Sequence, residues 1–182
     1  MWHNVVGAGG ARELLWLERR EGYIPNFLQS FALCPGDSMI VFSHGGANAA
    51  PIEAAMYARE RGLKVITVSS LVNAAAAKPT HSSGKHLSDL ADIAIDNCVP
   101  PEDSLVDIGY PEKVGAGSTM AAVFVAMSLV AETASRLKAK GFRPQTFVSP
   151  NVPGVSKDHN LQVFDAYTEQ LYARSPVDYT KV

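Results

Sequence analysis

The chain has 182 residues, 47% of them hydrophobic, which suits one folded domain with a sizeable core and sets the expected boundaries at 1–182. Its 16 basic and 18 acidic residues give a net charge of −2 and form no basic block, which argues against nucleic acid as a main partner. No run approaches 18 uninterrupted apolar residues and no charged-then-apolar leader opens the chain, so a cytoplasmic protein with no membrane partner is expected.

Met1 to Gly10 is apolar and glycine-rich, and Glu13 to Gly22 is charged and helix-favouring, with Gly22 suited to end a helix. Ile24, Phe27, Leu28 and Phe31 fall at helical spacing and predict a second helix leading into the Pro35-Gly36 turn. Met39 to Phe42 is a short β-favouring run that predicts a strand buried on both faces. The small polar stretch Ser43-His44-Gly45-Gly46-Ala47-Asn48 follows, and then a helix with Pro51 in its first turn, where the missing N–H costs nothing. That helix is expected to bury Ile52, Ala55 and Met56, to expose Glu53, Arg59 and Glu60, and to end at Gly62.

Lys64 to Ser69 predicts a second strand, Ala74 to Thr80 a loop, Leu87 to Leu90 a short helix and Ile93 to Ile95 a third strand. Residues 99 to 117 show no period and are expected to form a long functional loop. Ser118 and Thr119 are read as caps of a helix reaching Lys140, whose Met120, Val123, Phe124, Met127, Val130, Ala131, Ala134 and Leu137 share a 3.6 period. The stripe is wider than one sheet face needs, which predicts burial in the core or in a homo-oligomer, a dimer or tetramer. Thr146 to Val148 is expected to be a last strand. Asp158 is expected to cap a final helix with Leu161, Phe164, Tyr167 and Leu171 on one face, and the tail after Ser175 to fray. Cys34 and Cys98 have no metal-ligand spacing and are read as small core residues.

Strands alternating with helices predict a mostly parallel sheet with helices on both faces. Ligands of such sheets sit beyond the carboxyl ends of the strands, which here carry Ser43, then Ser69 and Ser70, then Asp96 and Asn97. Glycines admit close backbone approach, and Ser43 and Asn48 add small hydrogen-bonding groups before a helix N-terminus. The rim therefore suits a polyhydroxylated, anionic small molecule. The same glycines and serines also occur in tight turns that bind nothing. The stretch is neither a dinucleotide nor a P-loop fingerprint, and no cofactor is implied.

Ser43 to Glu53 followed by Arg61 to Leu71 resembles the sugar isomerase (SIS) phosphosugar-binding domain family. His81-Ser82-Ser83-Gly84-Lys85, Asp96 to Pro100, Gly117-Ser118-Thr119, and Ser149 to Val152 with Asn160 are similar to a stand-alone bacterial subgroup, and the likeness spans about 17 to 172. It implies a flavodoxin-like αβα sheet, oligomers, and a sugar phosphate held by hydroxyls and loop amides. Ser43, Gly45 and Asn48 match the phosphate loop, Ser69 the hydroxyl ending the next strand, and Ser118 and Thr119 the helix-capping pair near the sugar, with Gly46 and Ser70 as further ligand candidates. The family's Gly-x-Gly-x-Ser loop is not seen, and Gly7-Ala8-Gly9-Gly10 resembles the glycines after it; the resemblance implies that one or two strands of the usual sheet are missing or remodelled.

An aldose–ketose isomerase needs a base between neighbouring carbons and an acid for ring opening. Glu112 lies near where related isomerases place a glutamate, and otherwise reads as a solvated loop carboxylate. His81, followed by Ser82 as a further ligand candidate, reads either as a proton carrier or as a residue bonded to its own loop. His44, if protonated, favours a bound phosphate, and Lys85 reads as exposed. His81, His86 and Cys98 lack zinc-site spacing. Two functions remain open: a sugar-phosphate isomerase or related lyase, and a non-catalytic phosphosugar-sensing or partner-binding module.

Overall fold

The computed structural model describes residues 10–173. The segment Met1 to Val6, the glycines Gly7 and Gly9, the tail after Ser175 and the side chain of Leu171 lie outside that description. The chain divides into two compact units, one ending at Val125 and one beginning at Ala126.

In the first unit, helices α1 (Ala11–Leu17) and α2 (Tyr23–Leu28) precede β1 (Ser38–Phe42), α3 (Ala49–Glu60) and β2 (Lys64–Ser69). Then come α4 (Leu71–Ala76), a 3₁₀ turn (Leu87–Leu90), β3 (Ile93–Asp96), the ribbon β4 (Ser104–Val106) and β5 (Val114–Ala116), and the first turns of α5 (Gly117–Ala139). β1, β2 and β3 form a parallel sheet in that order, in register Ile40 to Ile66 to Ile93 and Phe42 to Val68 to Ile95. Helix α3 makes one crossover and α4 with the 3₁₀ turn makes the other, each short enough to lay its apolar side back on the strands.

Val41, Ile52, Ala55, Ala58, Leu63, Val65, Leu87 and Leu90 form the core between α3, the 3₁₀ turn and one sheet face. Ile52 has no exposed surface, and burying such a side chain stabilises by about 1.5–3 kcal/mol. Gly62, at φ 75°, ends α3 and turns the chain into β2. Asp92 clamps the start of β2, its carboxylate accepting the Val65 N–H at 2.8 Å while its own N–H donates to the Val65 carbonyl at 2.8 Å. The Val65 N–H holds the Asp92 carboxyl below its usual range, and Lys64 adds to the effect. The opposite face carries Ile40, Phe42 and Ile93, all exposed, and its carboxyl end shares a cavity with the first turns of α5.

Several local expectations change. β1 exposes Ile40 and Phe42 while burying Val41, because its side chains alternate between a sheet face left open among the described residues and the face that packs on the core. Glu53 is buried: α2 packs on its side of α3 and presents two backbone N–H groups to it. The stretch read as loop from Ala74 begins inside α4, which Ser70 caps by accepting the Asn73 N–H. Residues 99 to 117 hold the β4–β5 ribbon, whose few residues are too short to show a period. Cys34 is half-buried and Cys98 is exposed, the latter at φ 57° in the turn after β3.

Ser118 and Thr119 lie inside α5 instead of capping it. Asp103 is the cap, its carboxylate accepting the Ser118 N–H at 2.7 Å and the Ser118 hydroxyl at 3.1 Å. The α5 stripe is open, with Met120 73% and Phe124 74% exposed. At 23 residues the helix runs about 34 Å, well past strands of three to six residues. By length and composition alone it is also apolar enough to cross a membrane, a property the search for an uninterrupted apolar run missed.

In the second unit, α6 (His159–Ala173) buries Val163 and leaves Leu161, Phe164 and Tyr167 exposed, so the expected face is not the buried one. Thr146 to Val148 is not a strand. The Asn160 side chain takes the place of a neighbouring strand, accepting the Val148 N–H and donating to the Val148 carbonyl, each at 2.9 Å.

Candidate functional site

The first strand delivers Ser43 to Asn48 directly to the N-terminus of α3. The Ser43 N–H donates to the Val68 carbonyl at 3.0 Å, and its Oγ accepts the Gly46 N–H at 3.3 Å. Gly46 needs its missing side chain: its φ is +58°, and a Cβ there would stand 3.3 Å from Leu87 Cβ and 3.5 Å from Ser69 Cβ. In the first turn of α3, Ala50 gives its N–H to the Glu18 carbonyl and Pro51 has none. The N–H groups of Ala47, Asn48 and Ala49 meet no protein acceptor among the described residues. Asn48 occupies the N-cap position without a side-chain capping bond, which leaves its amide unused. Free amides at the positive end of a 12-residue helix favour an anion.

Beside this loop is a cavity of about 340 Å³. Ser43, His44, Asn97, Ser118 and Thr119 line its polar side, and Phe42, Val68, Ala122 and Val123 its apolar side. His44 Nδ1 stands 3.5 Å from the Asn97 amide nitrogen, while its Nε2 is buried with no partner among the described residues. The cavity thus joins the ends of β1, β2 and β3, the rim expected from the strand order, to the start of α5.

Other candidates are engaged elsewhere. The Ser70 hydroxyl donates to the Val99 carbonyl at 2.6 Å besides capping α4, and Ser69 is almost wholly buried behind Gly46. Asp96 accepts the Leu71 and Cys98 N–H groups and braces the turn after β3. Ser82 is held by Glu21, whose carboxylate accepts its hydroxyl at 2.6 Å and its N–H at 2.7 Å. These bonds, the hydroxyl first, hold the Glu21 carboxyl below its usual range. His81 is bonded to its own loop: its Nδ1 accepts the Ser83 N–H at 3.1 Å and lies 2.8 Å from the Ser83 hydroxyl. Its Nε2 faces Glu21 at 3.7 Å and Glu53 at 3.9 Å. Glu112 stands on the exposed turn between β4 and β5, and neither it nor His81 lines the cavity. Among the described residues no group of three His, Cys, Asp or Glu is disposed to hold a metal.

Glu21, Glu53, Thr80 and Asp103 escaped the sequence reading. Each acts through backbone groups distant in sequence, and nothing local to any of the four marks that role.

The SIS-domain family model matches residues 1–70, a span that contains the loop and α3. A UPF0309 protein of Caldanaerobacter subterraneus subsp. tengcongensis is 34% identical over 165 residues, covering 89% of this chain and 67% of that protein. The chain belongs to the UPF0309 family of SIS-domain proteins. UPF0309 proteins of Listeria monocytogenes serotype 4b and Brucella canis are 36% and 37% identical over 163 and 169 residues. These alignments cover 89% and 92% of the chain, and 66% and 67% of the relatives. The chain thus spans about two thirds of the length of its UPF0309 relatives. Its α/β, flavodoxin-like fold is that of the SIS domain, and the UPF0309 loop from Ser43 to Asn48 falls within the matched span.

Proposed function

We propose that this UPF0309 chain binds a phosphorylated monosaccharide, with the phosphate on the Ser43–Asn48 loop and the sugar in the adjoining cavity. The observation that carries the reading is the set of Ala47, Asn48 and Ala49 N–H groups without protein acceptors at the head of α3. A cavity of about 340 Å³ is at the small end for ligand sites and suits one sugar ring rather than a dinucleotide. Its apolar wall complements the C–H face of a sugar, and its hydroxyls and amide complement the ring oxygens. Glu112 and His81 lie outside the cavity, which favours the sensing or partner-binding reading over isomerisation by those two groups.

We also propose a homo-oligomer that covers the open α5 stripe, and residence in the cytoplasm, where charged sugar phosphates are retained. A thermal-shift panel of sugar phosphates, orthophosphate and unphosphorylated sugars tests the reading. A ligand at a hundredfold its Kd adds about 2.7 kcal/mol of stability. Ser43→Ala and Asn48→Ala are expected to weaken binding by about 1.5–3 kcal/mol per bond to a charged group. Stabilisation by sugars with or without phosphate alike, or parental affinity in both variants, refutes it.

A further inference from the structure

We infer that the segment from Thr80 to Leu87 is a strap that sets the shape of the anion loop, with Thr80 and Glu21 as positioning residues. The inference rests on the binding site proposed above and adds what makes its amides available.

Across a planar trans peptide the carbonyl of one residue and the N–H of the next point in opposite directions. Holding a carbonyl therefore aims the following amide. The Gly46 carbonyl accepts the Leu87 N–H at 2.8 Å, which fixes the Ala47 N–H. The Ala47 carbonyl accepts both the Thr80 N–H at 2.9 Å and the Thr80 hydroxyl at 3.1 Å, which fixes the Asn48 N–H. Ala47 and Asn48 are two of the residues whose amides lack a protein acceptor. The strap thus draws two carbonyl dipoles, which would repel a phosphate, to the side away from the free amides. The positive φ of Gly46 lets the loop make this turn.

The strap is itself tied down. Glu21 holds Ser82 by two short bonds, and the Gly84 N–H donates to the His81 carbonyl at 3.0 Å. His81 is 9% exposed, and its Nε2 edge is turned to Glu21 and Glu53. His86 Nε2 meets the Ala77 carbonyl at 2.9 Å and closes the base. Ser82, the residue that Glu21 holds, is two residues from Thr80, so the Glu21 bonds reach the Ala47 carbonyl through the strap backbone.

The test is calorimetric titration of the whole chain with fructose 6-phosphate and with orthophosphate, joined to the backbone amide resonances of Ala47 and Asn48. Thr80→Val keeps the shape but loses the hydroxyl, and Glu21→Ala frees Ser82. Both are expected to weaken binding about two- to tenfold, the equivalent of one ordinary hydrogen bond, and to shift those two resonances even without ligand. Thr80→Ser restores the hydroxyl and with it the parental affinity and spectrum. Parental affinity and unmoved resonances in Thr80→Val and Glu21→Ala, in a protein whose binding does depend on Ser43, overturn the strap alone. Failure of the unaltered protein to bind either probe overturns the site and the inference together.

Discussion

Replacing Glu53 removes the anchor that joins the head of α2 to α3. Glu53 lies in the second turn of α3, only 8% exposed, and its two carboxylate oxygens accept the Gly22 and Ile24 N–H groups. Those groups stand at the head of α2, a six-residue helix whose Gly22 N-cap makes no side-chain bond of its own. So short a helix depends on external partners to persist. Hydrogen bonds to a charged acceptor are worth about 1.5–3 kcal/mol each and a helix cap about 0.5–2. The two figures describe the same bonds here, and Gly22 is reached by water, so Glu53→Ala is expected to cost about 2–4 kcal/mol. Glu53→Gln keeps one acceptor oxygen and is expected to cost about half as much. Urea unfolding followed by tryptophan fluorescence reads both, because Trp16 lies in α1 just ahead of the junction. With a denaturant slope of about 1–3 kcal/mol per molar, the Ala variant loses about 1–2 M in midpoint. A cost under about 0.5 kcal/mol, the usual range for surface changes, would show that water satisfies these donors equally well.

Gly117→Ala is expected to destabilise by about 1 kcal/mol or more despite the better helix propensity of alanine, because its Cβ would stand 2.7 Å from Leu105 Cδ1 and 3.0 Å from Val99 Cγ1. A raised melting temperature contradicts it. The Glu21 carboxyl is held below its ordinary value of 4.5, so its stabilising share is present above that pH and is lost as acid brings the pH down through its lowered value. The stability gap between the parent and Glu21→Gln is therefore expected to close in that acid window, as read from urea midpoints across pH; a constant gap speaks against the Ser82 clasp. Sedimentation should report a multiple of 19.5 kDa for the parent and a lower multiple for Phe124→Glu, since Phe124 is the aromatic residue of the α5 stripe and stands exposed. A monomeric parent at micromolar concentration refutes the association.

The β1–α3–β2 unit was legible because each piece announces itself locally. Apolar β-favouring runs start after Asp37 and Leu63, Gly62 stops α3, and the hydroxyls fall at strand ends. β2 emerges with the bounds expected, and α5 differs by one residue at each end. Illegible were pairings between distant backbone and side-chain groups. Glu53 reads as a solvated helix carboxylate until α2 is seen to lay its N–H groups against it. Asp103, at φ 61° and 15 residues from Ser118, caps α5 from a position no helix-start pattern reaches. Thr146 to Val148 has strand-like side chains, but its backbone finds an amide side chain instead of a neighbour. At the rim, Ser43 and Asn97 meet as the strand order predicts and Ser118 and Thr119 join them as only the family likeness implied, whereas Glu112 depended on that likeness in the stretch the short ribbon reshapes.

The core cluster has a kinetic consequence. All eight of its residues fall between Val41 and Leu90, on β1, α3, the turn into β2, β2 and the 3₁₀ turn, and β1 and β2 pair in sequence order. Loop closure is entropically cheap over such short separations, so these contacts form early and without help from either end of the chain. A growing polypeptide can thus build the phosphate loop, its helix and the strap as one nucleus once synthesis has passed Leu90, before α5 exists to close the cavity. Substitutions in that nucleus should slow folding, while those in α5 or α6 should chiefly hasten unfolding.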